Sequence, residues 1–334
     1  MSNRLLALSA AAGLVLFSGA ATAESSVNLK MLSAWDDRFD GTQIVGRKFV
    51  DGVTKESNGR IKFTFSGPEV IAPGQQFEPT SRGVFDVNLS TPIYYIGTTG
   101  VLFGFFALPG DPEAWRKNGY WELADKELAR FNQKLIAMPS ASSVDNFFQI
   151  VLTKPLGQGD KPLDGRKIRG NKYYEPIVVP LGGSLVNLPG GEIYSGLEKG
   201  VVDGAAWPVA GQDRMKFYEV AKYMMRPRFG TSPFSIAMNL DKFKSLGKED
   251  QALLLKVGHD VEISAPKDFD AVAARSIEAL KAAGVKETEL DPALFKKVDA
   301  GLKAGVWATA RTTPKTVERV EAFYELAKKH GDAE

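Results

Sequence analysis

The feature that most constrains the fold is a repeated alternation of strand patterns and helix patterns. In the first third of the chain, strand patterns begin near Val27, Ile61 and Val84, and a stretch with helical spacing separates each from the next. Strands that alternate with helices in this way form a parallel sheet covered by helices. The middle third repeats the alternation, and the chain beyond Lys248 is mostly helical in its spacing. We therefore predict an α/β fold with a helical C-terminal part.

The same pattern indicates where a ligand would bind. In parallel sheets, ligands lie beyond the carboxyl ends of the strands. The segments that follow the first three predicted strands are residues 35–39, 67–71 and 90–95. We expect binding residues from these segments, and the candidates are Trp35, Glu69, Ser90, Thr91 and Tyr94.

The length of 334 residues exceeds that of a typical single core and favours two domains. Composition shifts do not mark the boundaries, so we place them where strands could cross between lobes. The expected division is a leader at 1–23, a first lobe at 24–147, a second lobe at 148–237, and a return to the first lobe with the C-terminal helices at 238–334.

The N-terminus has the pattern of a secretory signal peptide. Arg4 precedes an apolar run from Leu5 to Phe17, and Ala21-Thr22-Ala23 matches a cleavage site. The run is too short for a comfortable membrane span. We predict cleavage after Ala23 and export, to the periplasm in a Gram-negative cell. The absence of cysteine means that neither disulfides nor reactive thiols contribute.

Composition and motifs exclude several classes of function. The net charge is only +2 and no dense basic tract is present, which argues against nucleic-acid binding. Two histidines and no cysteine leave little for a transition-metal site. The common hydrolase, protease and phosphate-binding motifs are missing, and Ser245 in its S-x-x-K sequence lacks the companion motifs. We expect no metal, no cofactor and no catalysis.

Arg169 is the strongest candidate for a binding residue. It lies between Ile168 and Gly170 in a short predicted strand, and no other charge adjoins it on its C-terminal side. Its planar fork of N–H donors matches the two oxygens of a carboxylate. A surface or ion-paired arginine is the alternative interpretation. Asp203 and Glu192, in contrast, have ordinary structural explanations in a turn and at a helix start. Polar and aromatic residues at predicted strand ends could complete a cleft, namely Asn171, Tyr174, Trp207 and Phe234.

Three motifs behind the export signal together resemble the substrate-binding proteins of tripartite ATP-independent periplasmic (TRAP) transporters of the DctP type. They are LDGRKIR at 163–169, EIY at 192–194 and GVVDG at 200–204. The resemblance covers almost the whole chain beyond residue 23. It implies a two-lobed clamshell, each lobe a mixed sheet wrapped by helices, that closes on an organic acid. It places the carboxylate-binding arginine of the family on Arg169, and it implies small and large membrane subunits as partners.

Two departures from the family pattern bear on the ligand. Gln149 matches a position where sialic-acid-binding members have a second arginine, and Trp207 stands where many members have asparagine. Both changes favour an apolar-bodied or aromatic monocarboxylate, such as benzoate or cinnamate, beside Arg169. A short 2-oxo or 2-hydroxy acid, bound by Asn171 and tyrosine hydroxyls, is the alternative. A periplasmic enzyme or a sensor module remains an alternative class, and a monomer is expected.

Overall fold

The computed structural model describes residues 26–142, 144 and 146–334. The predicted signal peptide and its cleavage site after Ala23 lie outside the described residues. The strands are β1 (Val27–Ser33), β2 (Ile61–Ser66), β3 (Val87–Ser90), β4 (Gln133–Ala137), β5 (Phe148–Leu152), β6 (Lys167–Arg169), β7 (Ser184–Val186), β8 (Gly204–Pro208), β9 (Tyr223–Arg226), β10 (Ser235–Asn239) and β11 (Lys286–Glu289).

The helices are α1 (Lys48–Glu56), α2 (Phe77–Ser81), α3 (Pro112–Lys117), α4 (Tyr120–Ala129), α5 (Glu175–Val178), α6 (Ile193–Glu198), α7 (Leu240–Ser245), α8 (Lys248–Ala282), α9 (Pro292–Ala310) and α10 (Val317–His330). A π-helical turn at Thr42–Arg47 leads into α1. Short 3-10 turns lie at Pro73–Gln75, Pro92–Tyr95, Leu102–Ala107, Lys172–Tyr174, Gly190–Glu192, Phe217–Glu219 and Pro314–Thr316. The helical C-terminal part is confirmed.

The first sheet has the strand order β2-β1-β3-β10-β4. The strands β1, β2 and β3 are parallel, as their alternation with helices predicts, and β10 runs antiparallel to β3 and β4. Leu29 and Met31 of β1 are buried, while Asn28 and Lys30, which alternate with them, are exposed. One face of the strand therefore enters the core, as period-two patterning requires.

The second sheet has the order β11-β9-β5-β8-β6-β7. Here β6 is parallel to both β7 and β8, whereas β5 is antiparallel to β8 and β9. Each sheet is mixed and wrapped by helices, so the two-lobed α/β architecture is confirmed. Asp203 fixes the strand that carries Arg169, because its Oδ2 accepts the Lys167 N–H at 2.9 Å and its own N–H donates to the Lys167 carbonyl at 2.7 Å. This is the structural role expected of Asp203.

The polypeptide passes between the two sheets more often than the expected division implies. Strand β10 lies in the first sheet and spans the expected boundary at residue 238. Strand β11, within the segment expected to return to the first lobe, pairs with β9 in the second sheet. The long helix α8 connects the two sheets. Its first part packs on α1 and β4, beside the first sheet, and Ser276 near its end accepts the Gly211 N–H beyond β8 of the second sheet. Among the described residues, none of the helices combines the length and apolar character needed to cross a membrane.

Candidate functional site

A cavity lies between the two sheets, at the carboxyl ends of β1, β3, β6 and β8. The space between its walls measures about 490 Å³, including the part open to solvent. We call the side built by Trp35, Thr91, Tyr94, Ser232 and Phe234 the first-sheet wall, because these residues flank β1, β3 and β10. The second-sheet wall comprises Phe148, Arg169, Asn171, Tyr174 and Trp207, which lie in or just beyond β5, β6 and β8.

Aromatic rings form most of the lining. They belong to Trp35, Phe39, Tyr94, Phe106, Phe147, Phe148, Tyr173, Tyr174, Trp207 and Phe234. The ring of Phe39 connects the walls, with its centroid 4.9 Å from Trp35 and 6.1 Å from Trp207. Flat apolar surfaces on both sides favour a flat solute, because rings pack face or edge against one another over large contact areas.

Arg169 is the buried cation of this cavity, with only 8% of its surface exposed. Its Nε donates to the Leu188 carbonyl at 3.0 Å and its Nη1 to the Ala206 carbonyl at 3.3 Å. The guanidinium carbon lies 4.9 Å from the ring centroid of Trp207. None of the carboxylates in the described part of the chain pairs with it. A guanidinium has five N–H donors, so three remain after the two carbonyls are served, and all three are on the terminal nitrogens.

The environment of Arg169 is polar but uncharged. Burial lowers the pKa of Arg169, and the neighbouring Tyr174 and Tyr94 oppose that shift. Burial also raises the pKa of both tyrosines, with Arg169 acting in the opposite direction. Both phenols therefore keep their protons at neutral pH. The ring of Trp35 packs beside Tyr94, with the two ring centroids 5.8 Å apart.

The remaining polar groups are held by the backbone. Asn171 Oδ1 accepts the Tyr173 N–H at 3.0 Å, which orients the amide and leaves its NH₂ group available at the cavity. Thr91 Oγ1 donates to the Pro233 carbonyl at 2.9 Å, and Ser232 Oγ donates to the same carbonyl at 3.5 Å. Because Arg169 and Asn171 have N–H groups to spare, the second-sheet wall offers mainly hydrogen-bond donors.

The cavity brings together most of the residues that the sequence singled out. Those that line it are Trp35, Thr91, Tyr94, Arg169, Asn171, Tyr174, Trp207 and Phe234. Three other candidates lie elsewhere. Glu69 is exposed and accepts the Gly67 N–H at 2.8 Å. Ser90 is buried beneath the first-sheet wall, opposite Ser235 in the strand register, and its Oγ has no partner among the described residues.

Gln149 also lies outside the lining, although it pairs with Trp207 in the register of β5 and β8. It is fully buried, and its Oε1 accepts from Arg226 Nη1 at 2.7 Å. Its Nε2 donates to Gln212 Oε1. Both ends of the Gln149 amide are therefore occupied by protein partners, which explains why it does not reach into the cavity.

Some lining residues were not expected from the sequence. Phe106 lies in a continuous apolar run, a pattern typical of a core residue. It nevertheless also lines the cavity, where its ring centroid lies 4.7 Å from that of Tyr173. Ser232 has no local pattern around it that indicates binding. It reaches the cavity because β10 inserts between β3 and β4. Within residues 26–142, 144 and 146–334, no group of three or more His, Cys, Asp or Glu side chains is arranged to hold a metal ion.

A cleft between two α/β lobes, with a buried cation in its wall, is typical of a solute-binding protein. Residues 40–307 match the profile of the bacterial extracellular solute-binding proteins, family 7 (DctP). The chain belongs to this family, whose members are substrate-binding proteins of TRAP-type transporters and not enzymes.

Individual relatives agree with this assignment. A monocarboxylate 2-oxoacid-binding periplasmic protein of Nostoc sp. is 26% identical over 276 residues, which cover 78% of this chain and 73% of the relative. A TRAP solute-binding protein of Desulfovibrio salexigens with bound orotic acid superposes with a TM-score of 0.78 at 21% identity, covering 91% of this chain and 99% of the other. One from Bordetella bronchiseptica, copurified with calcium and picolinate, gives a TM-score of 0.76 at 19% identity, with 91% of each chain covered.

Proposed function

We propose that the protein captures a small organic monocarboxylate in the cavity between its lobes and delivers it to the membrane subunits of a TRAP transporter. The observation that carries the proposal is the buried guanidinium of Arg169, which has three unused N–H donors on its terminal nitrogens and no carboxylate partner among the described residues. A carboxylate can approach that edge and accept two parallel hydrogen bonds.

The physical argument concerns the charge. A buried cation without a counterion is unfavourable, because burial removes the water that stabilised it. A bound carboxylate supplies the counterion, and its attraction is stronger in a cavity from which water is excluded. Neutral solutes leave the cation unpaired. Discrimination against them follows from that cost as much as from the contacts made by the correct solute.

The aromatic walls support a flat solute body. Trp207 on one side, and Trp35 and Tyr94 on the other, would contact a ring attached to the carboxylate. Orotic acid and picolinate, bound by the two structural relatives, are both aromatic carboxylates. We therefore favour an aromatic monocarboxylate. The second candidate is a short 2-oxo or 2-hydroxy acid, supported by the ligand class of the Nostoc relative and by the available amide NH₂ of Asn171.

A thermal-shift screen of the purified protein tests this proposal. The panel contains benzoate, cinnamate, picolinate, pyruvate, lactate and succinate, with benzamide as the uncharged match for benzoate. A ligand that binds only the folded state raises the melting temperature by mass action. We expect shifts with the aromatic acids and none with benzamide. Shifts with pyruvate and lactate alone favour the second candidate, and a shift with benzamide equal to that with benzoate contradicts a carboxylate anchor.

We also propose that the protein works in the periplasm as a monomer, after removal of residues 1–23. The apolar run and the Ala21-Thr22-Ala23 sequence carry the export part of this proposal. The intact mass of protein recovered from a periplasmic extract tests it, because cleavage after Ala23 leaves Glu24 as the first residue. Light scattering of that material measures the oligomeric state. Retention of Met1, or the mass of a dimer, contradicts the corresponding part.

A further inference from the structure

We infer that the solute carries a hydrogen-bond donor, an N–H or O–H group, that binds Thr91, beside Ser232, on the first-sheet wall. The inference rests on the proposed function, because it concerns another part of the solute that Arg169 anchors. Its basis is the direction of the hydrogen bonds that these two hydroxyl groups already make.

The Thr91 hydroxyl proton is committed to the protein, whereas the Ser232 hydroxyl group makes only a longer contact with the same carbonyl. Thr91 Oγ1 donates to the Pro233 carbonyl at 2.9 Å, and Ser232 Oγ donates to the same oxygen at 3.5 Å. Thr91 and Ser232 are only 4% and 6% exposed, and both line the cavity. A hydroxyl group has one proton and two lone pairs. With its proton engaged, the Thr91 oxygen can offer the solute only lone pairs.

The Pro233 carbonyl keeps the Thr91 proton where it is. Within the described part of the chain, the two hydroxyl groups supply its hydrogen bonds. If Thr91 turned its proton toward a solute, this carbonyl would keep only the long contact from Ser232. A buried carbonyl that loses its partner is destabilising. The first-sheet wall therefore presents the Thr91 oxygen as an acceptor at this point, beside the Ser232 hydroxyl group.

The second-sheet wall presents the opposite set. Arg169 has three N–H groups left, and the amide NH₂ of Asn171 is also available. A carboxylate accepts from these groups. The same solute needs a donor where it meets Thr91, because an acceptor there would face the lone pairs of the Thr91 oxygen. The class is thus an aromatic or lactam carboxylic acid with a ring N–H, or a hydroxylated aromatic acid.

Pairs of five-membered heteroaromatic acids test this inference with little change in size. Pyrrole-2-carboxylate and furan-2-carboxylate differ in one ring atom, an N–H donor against an oxygen without a proton, and the two 3-carboxylates place that atom farther from the carboxylate. We expect calorimetric titration to show roughly ten- to a hundredfold tighter binding of the pyrrole acid in at least one pair, the range expected when buried acceptors lose a donor.

Variants locate the effect. In Thr91→Val the preference for the pyrrole acid should shrink several-fold, whereas Thr91→Ser, which keeps the hydroxyl group, should retain it. Circular dichroism checks that both variants fold. If Thr91→Val does not fold, the comparison of pyrrole and furan acids on the wild type tests the inference. Equal binding of pyrrole and furan acids in both pairs, with loss of all binding in Arg169→Ala, overturns the inference and leaves the proposed function intact. Failure of all four acids to bind overturns the inference together with the aromatic-acid assignment.

Discussion

Asp40 and Arg214 form an ion pair at the edge of the cleft. Asp40 lies at the start of the helical stretch that follows β1, and Arg214 lies in the segment after β8, so the pair joins the two sides. The carboxylate is buried against Gly211, and its Oδ2 has no hydrogen-bond partner in the described part of the molecule. Arg214 remains about half exposed. Since Phe39 precedes Asp40 and touches Trp207, this ion pair holds an aromatic part of the cavity lining in place.

The stability contributed by Asp40 should depend on pH. Burial raises the pKa of Asp40 above its ordinary value of 3.8, with Arg214 opposing the rise. A carboxyl group with a raised pKa binds its proton more tightly in the folded chain, so stability is lost as pH rises from the unfolded value through the folded one. We expect the free energy of unfolding of the wild type, relative to Asp40→Asn, to fall with rising pH above 3.8 and then become constant. Urea titrations of both proteins across this range measure the difference. A difference that grows with pH means that Arg214 outweighs burial.

Replacement of Arg169 should remove most of the affinity for a carboxylate. By analogy with buried charge pairs, Arg169→Ala should lose about 2–5 kcal/mol of binding free energy. Arg169→Lys should also bind weakly, because a point charge does not reproduce the planar fork. Arg166→Lys is the matched control, since Arg166 lies outside the cavity and its guanidinium donates to the carbonyls of Lys154 and Pro155. Titration calorimetry with the strongest acid from the screen measures all three, and unchanged affinity in Arg169→Ala would place the carboxylate elsewhere.

Two glycines with left-handed backbones should respond differently to alanine. Gly230 and Gly284 have φ values of 59° and 80°. A Cβ at Gly230 would lie 2.2 Å from the Tyr173 hydroxyl, whereas nothing lies within 4 Å of one at Gly284. Both variants should lose roughly 1–2 kcal/mol of stability from the backbone conformation alone. Gly230→Ala should lose more and also weaken solute binding, because Tyr173 lines the cavity. Denaturant unfolding and titration test this, and identical behaviour of the two variants contradicts it.

Gln149 should matter for stability more than for solute affinity. Its removal takes one of two acceptors from Arg226 Nη1, which keeps the Met225 carbonyl, and leaves Gln212 Oε1 without its donor in the interior. We expect Gln149→Leu, similar in volume, to lose about 1–3 kcal/mol of unfolding free energy. Its affinity should change far less than that of Arg169→Ala. Normal stability combined with a large loss of affinity would restore the direct ligand contact that the sequence predicted for Gln149.

The elements that the sequence predicted correctly are those with local signals. The alternation in β1 and β2 is visible in adjacent residues, and so is the parallel arrangement that the intervening helix imposes. Arg169 was recognisable because its neighbours are apolar or glycine, which is unusual around a surface charge. Glu69 follows β2 but lies outside the cavity lining, because position along a strand does not fix the direction of a side chain in the following loop.

The sequence by itself determined the α/β class, the helical C-terminal part and the candidate anchor Arg169, because each is encoded in short-range periodicity or in residue chemistry. Tertiary structure alone decided the donors and acceptors at the cavity. Thr91 faces it as an acceptor because its hydroxyl proton is hydrogen-bonded to the carbonyl of Pro233, 142 positions away. Gln149 does not reach the cavity because its Oε1 accepts from Arg226, 77 positions away. Asp40 likewise meets Arg214 only when the segments that follow β1 and β8 come together in the folded chain. Hydrogen-bond direction depends on which distant groups meet, and no local pattern in the chain records that.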